Sequence, residues 1–358
     1  MRQKSWVVPA FLLLILFLIF SLGCVPKPTV KPPTSPTPTP TPITPTAKPT
    51  PKPKKITLYA VTAWPATVRE SKNFLEFVEI VNAGAKAKHP GELEIKYRGG
   101  PEAVPTASQG EAIRTGIVDM VFTTTSYYTG LVPEAEAAKL TQFHPWEERA
   151  RGFNDFFNKL HESKMNSFYL GRLGEDIPFQ LYLNVKVSRP QDLKGLKIRV
   201  SPKYRAFMKA LGATPVVIPP GDVYTALERH VVDGYVWPAV GIRDWGWEAV
   251  TKYIVGPGFY NVDNVILINL DTWKSLPAHL QKLLLDSMVE AEHKIVAKMQ
   301  SLLEKERPIL VSKGLKVIEF SPADAKWYLD TAYSAGWDEI MSKCPEYGPK
   351  LKEFLTKK

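Results

Sequence analysis

Cysteine is scarce in this 358-residue sequence, with Cys24 and Cys344 its only two. One lies in the N-terminal stretch and the other near the far end, so a disulfide framework has nothing to build on and the body must hold together by burial. Long apolar runs are also few. The run from Trp6 to Leu22 is slightly short for a membrane span, and Pro9 interrupts it. The histidines, His89, His144, His161, His230, His279 and His293, include no pair at a metal-ligand spacing such as HExxH, so no metal is expected. GxGxxG, P-loop and GxSxG patterns are absent, which leaves nucleotide binding and serine-nucleophile chemistry without a motif. No cofactor is expected.

Acidic residues are missing altogether before Ile56, and this explains the charge. The formal net charge is +10, from 46 basic and 36 acidic residues. Eight of the basic residues (Arg2, Lys4, Lys27, Lys31, Lys48, Lys52, Lys54 and Lys55) precede Ile56, which leaves the body with 38 against 36 and a net of about +2. A basic groove for a phosphate backbone is therefore not supported, and no nucleic-acid partner is expected.

Residues 1–23 carry a charged start and an apolar run, the pattern of a secretory signal. Cys24 directly after Gly23 resembles the bacterial lipoprotein site, at which that cysteine receives lipid; Ser21 stands where that motif usually has leucine. Residues 24–55 form a linker of Pro, Thr and Lys that has too few large apolar side chains to build a core. Proline favours extended polyproline II, so the 31 residues from Val25 to Lys55 reach at most about 95 Å, a stalk between membrane and body.

From Ile56 onward strands and helices alternate. ITLYAVTA, LEIKY (Leu93 to Tyr97) and MVFTTT (Met120 to Thr125) read as strands with helices between them, the first half of a doubly wound domain. A helical region follows over roughly 134–164, and strands between Ser167 and Asn184 cross toward a second domain. In DLKGLKIRVSPKYRAFMKALGATPVVIPPGDVYTALERHVVDGYVWP (Asp192 to Pro238) three strands alternate with two helices, which implies a parallel sheet. VILINL (Val265 to Leu270) returns to the first domain, and Leu276 to Ser312 reads as one long helix. LKVIEF and a helical segment from Pro322 to Lys343 close the chain.

In parallel sheets ligands lie beyond the carboxyl ends of strands. Arg199 stands at one such end and Trp237 at another. An arginine fork holds a carboxylate through two parallel hydrogen bonds, and an aromatic face beside it suits a small organic anion. Trp64, Tyr127 and Tyr128 follow the first and third strands in the same manner and are further candidates for the wall. A surface arginine paired with an acid, and aromatics packed in a core, are the plainer readings of the same residues.

DLKGLKIR, then GATPV, then VDG resemble the solute receptors of TRAP (tripartite, ATP-independent, periplasmic) transporters. GEAIRTGIVDM (Gly110 to Met120) and LINLDTWKSLPAHLQKLL (Leu267 to Leu284) extend the resemblance over roughly residues 56–345. It implies an α/β, two-domain periplasmic-binding-protein-like fold with a hinge, mixed sheets and a long helix in the C-terminal half. The implied division is 56–176 plus 264–303 for the first domain and 177–263 plus 304–358 for the second. Arg199 matches the arginine that grips the solute carboxylate in those receptors. Val236, before Trp237, replaces an acid that helps hold a metal in the ketoacid branch, so a metal-bridged site is not implied. Phe179 falls about where the sialic-acid branch has a second arginine, and Gln180 beside it is expected to hydrogen-bond a solute hydroxyl or oxo group.

The expected protein is an extracytoplasmic receptor, anchored to the outer face of the cell membrane through Cys24, that hands one small organic acid to TRAP permease subunits. A monocarboxylate with an apolar or aromatic body suits a single arginine among aromatics. No enzyme is expected; the alternative is a surface-anchored hydrolase or lyase using the same cleft, which needs a coupled nucleophile and base beside Arg199.

Overall fold

Strand and helix alternate from Ile56 to the C-terminus in the computed structural model, which describes residues 55–173 and 176–357 together with Pro26 and Pro28. Cys24, the signal and nearly all of the linker lie outside the described residues. In chain order the elements are β1 (Ile56–Thr62), α1 (Arg69–Lys88), β2 (Leu93–Gly99), α2 (Gln109–Arg114), β3 (Met120–Thr124), α3 (Pro145–Ala150), α4 (Phe153–Met165), β4 (Ser167–Arg172), β5 (Phe179–Leu183), β6 (Lys197–Val200), α5 (Arg205–Ala210), β7 (Thr214–Val217), α6 (Val223–Glu228), β8 (Gly234–Pro238), β9 (Tyr253–Phe259), β10 (Asn264–Asn269), α7 (Leu270–Ser275), α8 (Ala278–Ser312), β11 (Lys316–Glu319), α9 (Pro322–Lys343) and α10 (Gly348–Leu355). No helix among the described residues is long and apolar enough to cross a membrane.

The strands form two mixed sheets, ordered β2-β1-β3-β10-β4 and β11-β9-β5-β8-β6-β7. β1 pairs with β2 and β3 in parallel, and β10 runs antiparallel to both β3 and β4. In the second sheet β6 pairs in parallel with β7 and β8, while β5 runs antiparallel to β8 and β9. The interior strands β3, β10, β5 and β8 are buried at every position, as continuous apolar strands covered on both faces must be. The edge strands β7 and β11 are exposed at both ends.

The chain crosses between sheets at β4 to β5 and again at β9 to β10. α8 makes the third crossing. Its 35 residues extend about 52 Å. Its first half buries Leu280, Leu283, Leu284, Met288, Ala291 and Ile295, a 3.6-residue periodicity, beside α1 and β4. Leu303, Arg307 and Leu310 of its second half line a pocket with Gln180, Tyr182 and Ile254 of the second sheet. α10 returns to the first lobe, where the Leu355 carbonyl accepts from Gln142 N at 2.9 Å and Arg151 donates to the Phe354 and Glu353 carbonyls.

One strand lacks the expected signal. β9 contains Gly256-Pro257-Gly258, a sequence that reads as a turn. The strand tolerates it because its pairing with β5 is irregular between Phe179 and Leu181, and proline is admitted at such bulges.

Candidate functional site

A narrow cavity of about 30 Å³ lies between the lobes, well below the size of a small-molecule site, so a solute enters it only as the lobes part. Its wall is built from both sheets. Trp64 follows β1, Thr124 ends β3, and Tyr127 lies in the turn behind it. The second lobe contributes Phe179 at the start of β5, Ser201, Lys203 and Tyr204 after β6, and Trp237 and Pro238 at the end of β8. Val262 and Asn264 come from the crossing into β10, and Glu70 from α1. Most of these positions are the carboxyl ends of parallel strands, where the backbone turns away and leaves a crevice.

The wall is largely aromatic and held by ring contacts. Trp64 packs on Phe122 at 5.4 Å and on Tyr127 at 6.4 Å between centroids, and Phe179 packs on Tyr204 at 4.7 Å. Trp237 meets Trp247 at 4.8 Å and Trp245 at 6.0 Å, both edge-on. Trp245 and Trp247, which follow β8, therefore back the wall from behind. Gly100 holds the other side: a Cβ there would stand 2.4 Å from the Trp64 carbonyl oxygen, so the loop approaches this closely only without a side chain.

Arg199 sits directly behind this wall and is 1% exposed. Its Nε donates to the Ile218 carbonyl at 2.8 Å and its Nη1 to the Val236 carbonyl at 3.4 Å. The guanidinium lies 5.4 Å from the Trp237 ring centroid, within cation–π range. No acid among the described residues pairs with it, and Nη2 makes no hydrogen bond within them. Burial lowers its proton affinity, while the nearby Tyr127, Tyr204 and Tyr235 phenols oppose that shift; an arginine nonetheless stays charged. Burial likewise raises the Tyr127 and Tyr204 phenols, with the Arg199 charge pulling the other way. Trp237 Nε1 is buried and makes no hydrogen bond among the described residues. A buried donor without a partner costs about 1–3 kcal/mol, which an incoming acceptor would recover.

A second cation faces the cavity. Lys203 is 2% exposed, pairs directly with Asp263, and donates to Thr124 Oγ1 at 2.7 Å. Asp263 also accepts from Thr124 Oγ1 at 3.1 Å and from Thr125 Oγ1. Burial, with Lys139 adding repulsion, pushes the Lys203 amine down, and the Glu136 carboxylate opposes that shift. This cluster ties the loop after β6 to the end of β3 and thus joins the lobes along the floor of the cavity. Asp244 makes a second tie by accepting from Arg69 N at 3.0 Å. Among the charged side chains of the site Lys203 has Asp263, and Glu70 has Arg69 at 2.9 Å. Arg199 alone lacks an acidic partner, so the site carries an excess of one positive charge.

Four of the expected site residues, Trp64, Tyr127, Phe179 and Trp237, meet in this cavity, and Arg199 backs it. Two do not. Gln180 follows Phe179 on β5, so its side chain points to the opposite face of the sheet, lines the pocket under α8, and donates to the Val255 carbonyl. Tyr128 turns into the first lobe, where its hydroxyl meets His161 Nε2 at 3.1 Å. The residues without a sequence signal are Lys203, Tyr204 and Asp263. Lys203 follows Pro202 at a helical start, which reads as an exposed position, and nothing local betrays its burial.

The family model described as bacterial extracellular solute-binding protein, family 7 (DctP) matches residues 66–343. The monocarboxylate 2-oxoacid-binding periplasmic protein of Nostoc sp. is 24% identical over 272 residues, covering 73% of this chain and 72% of that protein. Among solved structures, a Bordetella pertussis extracytoplasmic solute receptor binding pyroglutamic acid superposes with a TM-score of 0.73 at 18% identity, covering 84% of this chain and 100% of the other. A TRAP periplasmic solute-binding protein from Desulfovibrio salexigens with bound orotic acid gives a TM-score of 0.73 at 20% identity, covering 84% and 97%. With two mixed sheets, an aromatic interlobe cavity and a family match over most of its length, the chain belongs to the bacterial extracellular solute-binding proteins of family 7, the solute receptors of TRAP transporters.

Proposed function

We propose that the protein binds one small organic monocarboxylate with an apolar or aromatic body in the interlobe cavity and presents it to a TRAP permease. The observation that carries this reading is the uncompensated Arg199 charge behind the Trp237 ring. One excess cation calls for one anionic group, and a desolvated charge gains from such a partner. The aromatic wall suits the rest of the molecule. The named relatives fit: they are described with a monocarboxylate 2-oxoacid, pyroglutamic acid and orotic acid, each carrying one carboxyl group.

In this reading the solute carboxylate accepts from Arg199 Nη2 and Trp237 Nε1, and Tyr127 offers its hydroxyl to a second polar atom. Trp64, Phe179 and Tyr204 enclose the body. The two lobes, one built on the sheet β2-β1-β3-β10-β4 and carrying α10, the other on the sheet β11-β9-β5-β8-β6-β7, close over it. Solute shifts the population toward the closed form by its differential affinity, and the permease distinguishes that form from the open one. Cys24 carries the lipid that tethers the stalk; mass spectrometry of the purified chain's N-terminus checks this, and an unmodified Cys24 removes the anchor.

Thermal unfolding with a panel of small acids tests the binding reading. A bound acid raises Tm with the logarithm of its concentration over Kd, stabilising the folded state by about 2.7 kcal/mol at 100 times Kd. The Arg199→Ala protein is expected to lose this response, at a cost of about 3 kcal/mol or roughly 100-fold in affinity. A full response from that variant refutes the site. NMR of the incubated acid is expected to show it unchanged, and its consumption would mean an enzyme instead.

A further inference from the structure

We propose that His89, Glu92 and His279 form a binding site for a divalent transition metal, zinc by the chemistry of its donors, on the first lobe and apart from the solute cavity. The sequence shows no metal-ligand spacing because the two histidines are 190 positions apart. The fold brings them together. His89 caps the C-terminus of α1, and Glu92 lies three residues on, in the turn that leads to β2. Glu92 N donates to the His89 carbonyl at 3.1 Å and Ile56 N to the Glu92 carbonyl at 2.7 Å, so the turn is fastened to itself and to β1. Gly91 provides the left-handed residue, at φ +82°, that the turn requires. His279 is the second residue of α8, which α1 packs against.

One ligand atom from each of the three side chains lies within 4.8 Å of the other two. His279 Nε2 is 2.7 Å from Glu92 Oε2, and the His89 and His279 ring centroids are 4.6 Å apart. A tetrahedral zinc with bonds of about 2.0–2.1 Å needs donors about 3.3–3.5 Å apart. Small rotations of half-exposed side chains cover that difference. Two imidazoles and a carboxylate are a donor set zinc accepts, with the solvent side left for water as a fourth ligand. The C-terminal end of α1 adds the negative pole of its dipole, which favours a cation. Metal bound here joins the start of α8 to the α1–β2 turn. None of the three residues lines the solute cavity, so the site is independent of the solute proposal.

Calorimetry with zinc chloride on the untagged, EDTA-treated full chain tests this, alongside thermal unfolding with and without zinc. One equivalent should bind, with a rise in Tm that EDTA reverses. His279→Ala and His89→Ala should abolish uptake, and Glu92→Gln should weaken it by roughly 10-fold or more. His230→Ala, an exposed histidine elsewhere, should bind as the wild type does. Metal-free Tm values equal to wild type establish that the variants fold. No saturable uptake by the wild type, or undiminished uptake by His279→Ala, overturns the site.

Discussion

At the scale of single residues the site depends on donors that the protein leaves unused. Arg199 spends Nε and Nη1 on backbone carbonyls, which fixes the guanidinium plane and leaves Nη2 free for a ligand. Trp237 supplies both a ring face and an unsatisfied Nε1. These two roles are separable. Trp237→Phe keeps an aromatic wall but removes the donor, so solute affinity should fall roughly 10-fold, the equivalent of about 1.5 kcal/mol for one hydrogen bond to a charged group. Calorimetry with the acid found by thermal screening measures this, and unchanged affinity would take Nε1 out of the site. The placements of Gln180 and Tyr128 follow from local geometry. Successive strand residues face opposite sides of a sheet, so Phe179 and Gln180 cannot share the cavity. That constraint was legible in the sequence wherever β5 was.

At the scale of elements, buried ionic groups set how the pieces respond to pH and mutation. Between α3, β4 and α8, Arg149 pairs with Glu292 at 2.6 Å and Arg172 with Glu148 at 3.0 Å. Burial pushes the Glu292 carboxyl up to about 7, and the two arginines only partly offset it. The unfolded chain loses this proton near the ordinary carboxylate value, so between roughly pH 4.5 and 7 the folded state holds more protons and stability falls as pH rises. His161 acts in the opposite sense: burial lowers it to about 4, and between about pH 4 and 6.5 its contribution rises with pH. Glu292→Gln should remove the falling limb and uncover the rising one, which Tm measured from pH 4 to 8 would show; an unaltered profile contradicts the assignment. The Lys203–Asp263 tie should behave as a buried pair. Lys203→Met leaves the aspartate unpaired and is expected to cost about 3–5 kcal/mol in denaturant unfolding, with Lys203→Met/Asp263→Asn recovering part of it. A double variant no more stable than the single would show that the pair does not act as a unit.

At the scale of the whole molecule, two sheets meet through two strand crossings and one long helix. The ties from Lys203 to Thr124 and Asp263, and from Arg69 to Asp244, bring the lobes into contact around a small cavity. Separating the lobes has to break these contacts, and a bound anion beside Arg199 would oppose that separation. Saturating solute should therefore reduce the radius of gyration in small-angle scattering of the wild type but leave that of Arg199→Ala unchanged. Identical curves with and without solute for the wild type would argue against closure.

The sequence by itself determined the order of elements, because apolar periodicities of 2 and 3.6 are local properties of the chain. It also determined the excess charge of the leader and linker and the position of Arg199 at a strand end. Tertiary structure decided the rest. β9 was hidden by Gly256-Pro257-Gly258, which becomes a strand only because β5 and β11 flank it. Nothing local marks Lys203 for burial; Asp263, 60 residues away, meets it in the cavity floor. The environment of Arg199 was equally hidden, since three tyrosines and no acid gather around it only once the sheet is assembled. Burial and pairing are properties of contacts between distant segments, and no local pattern records them.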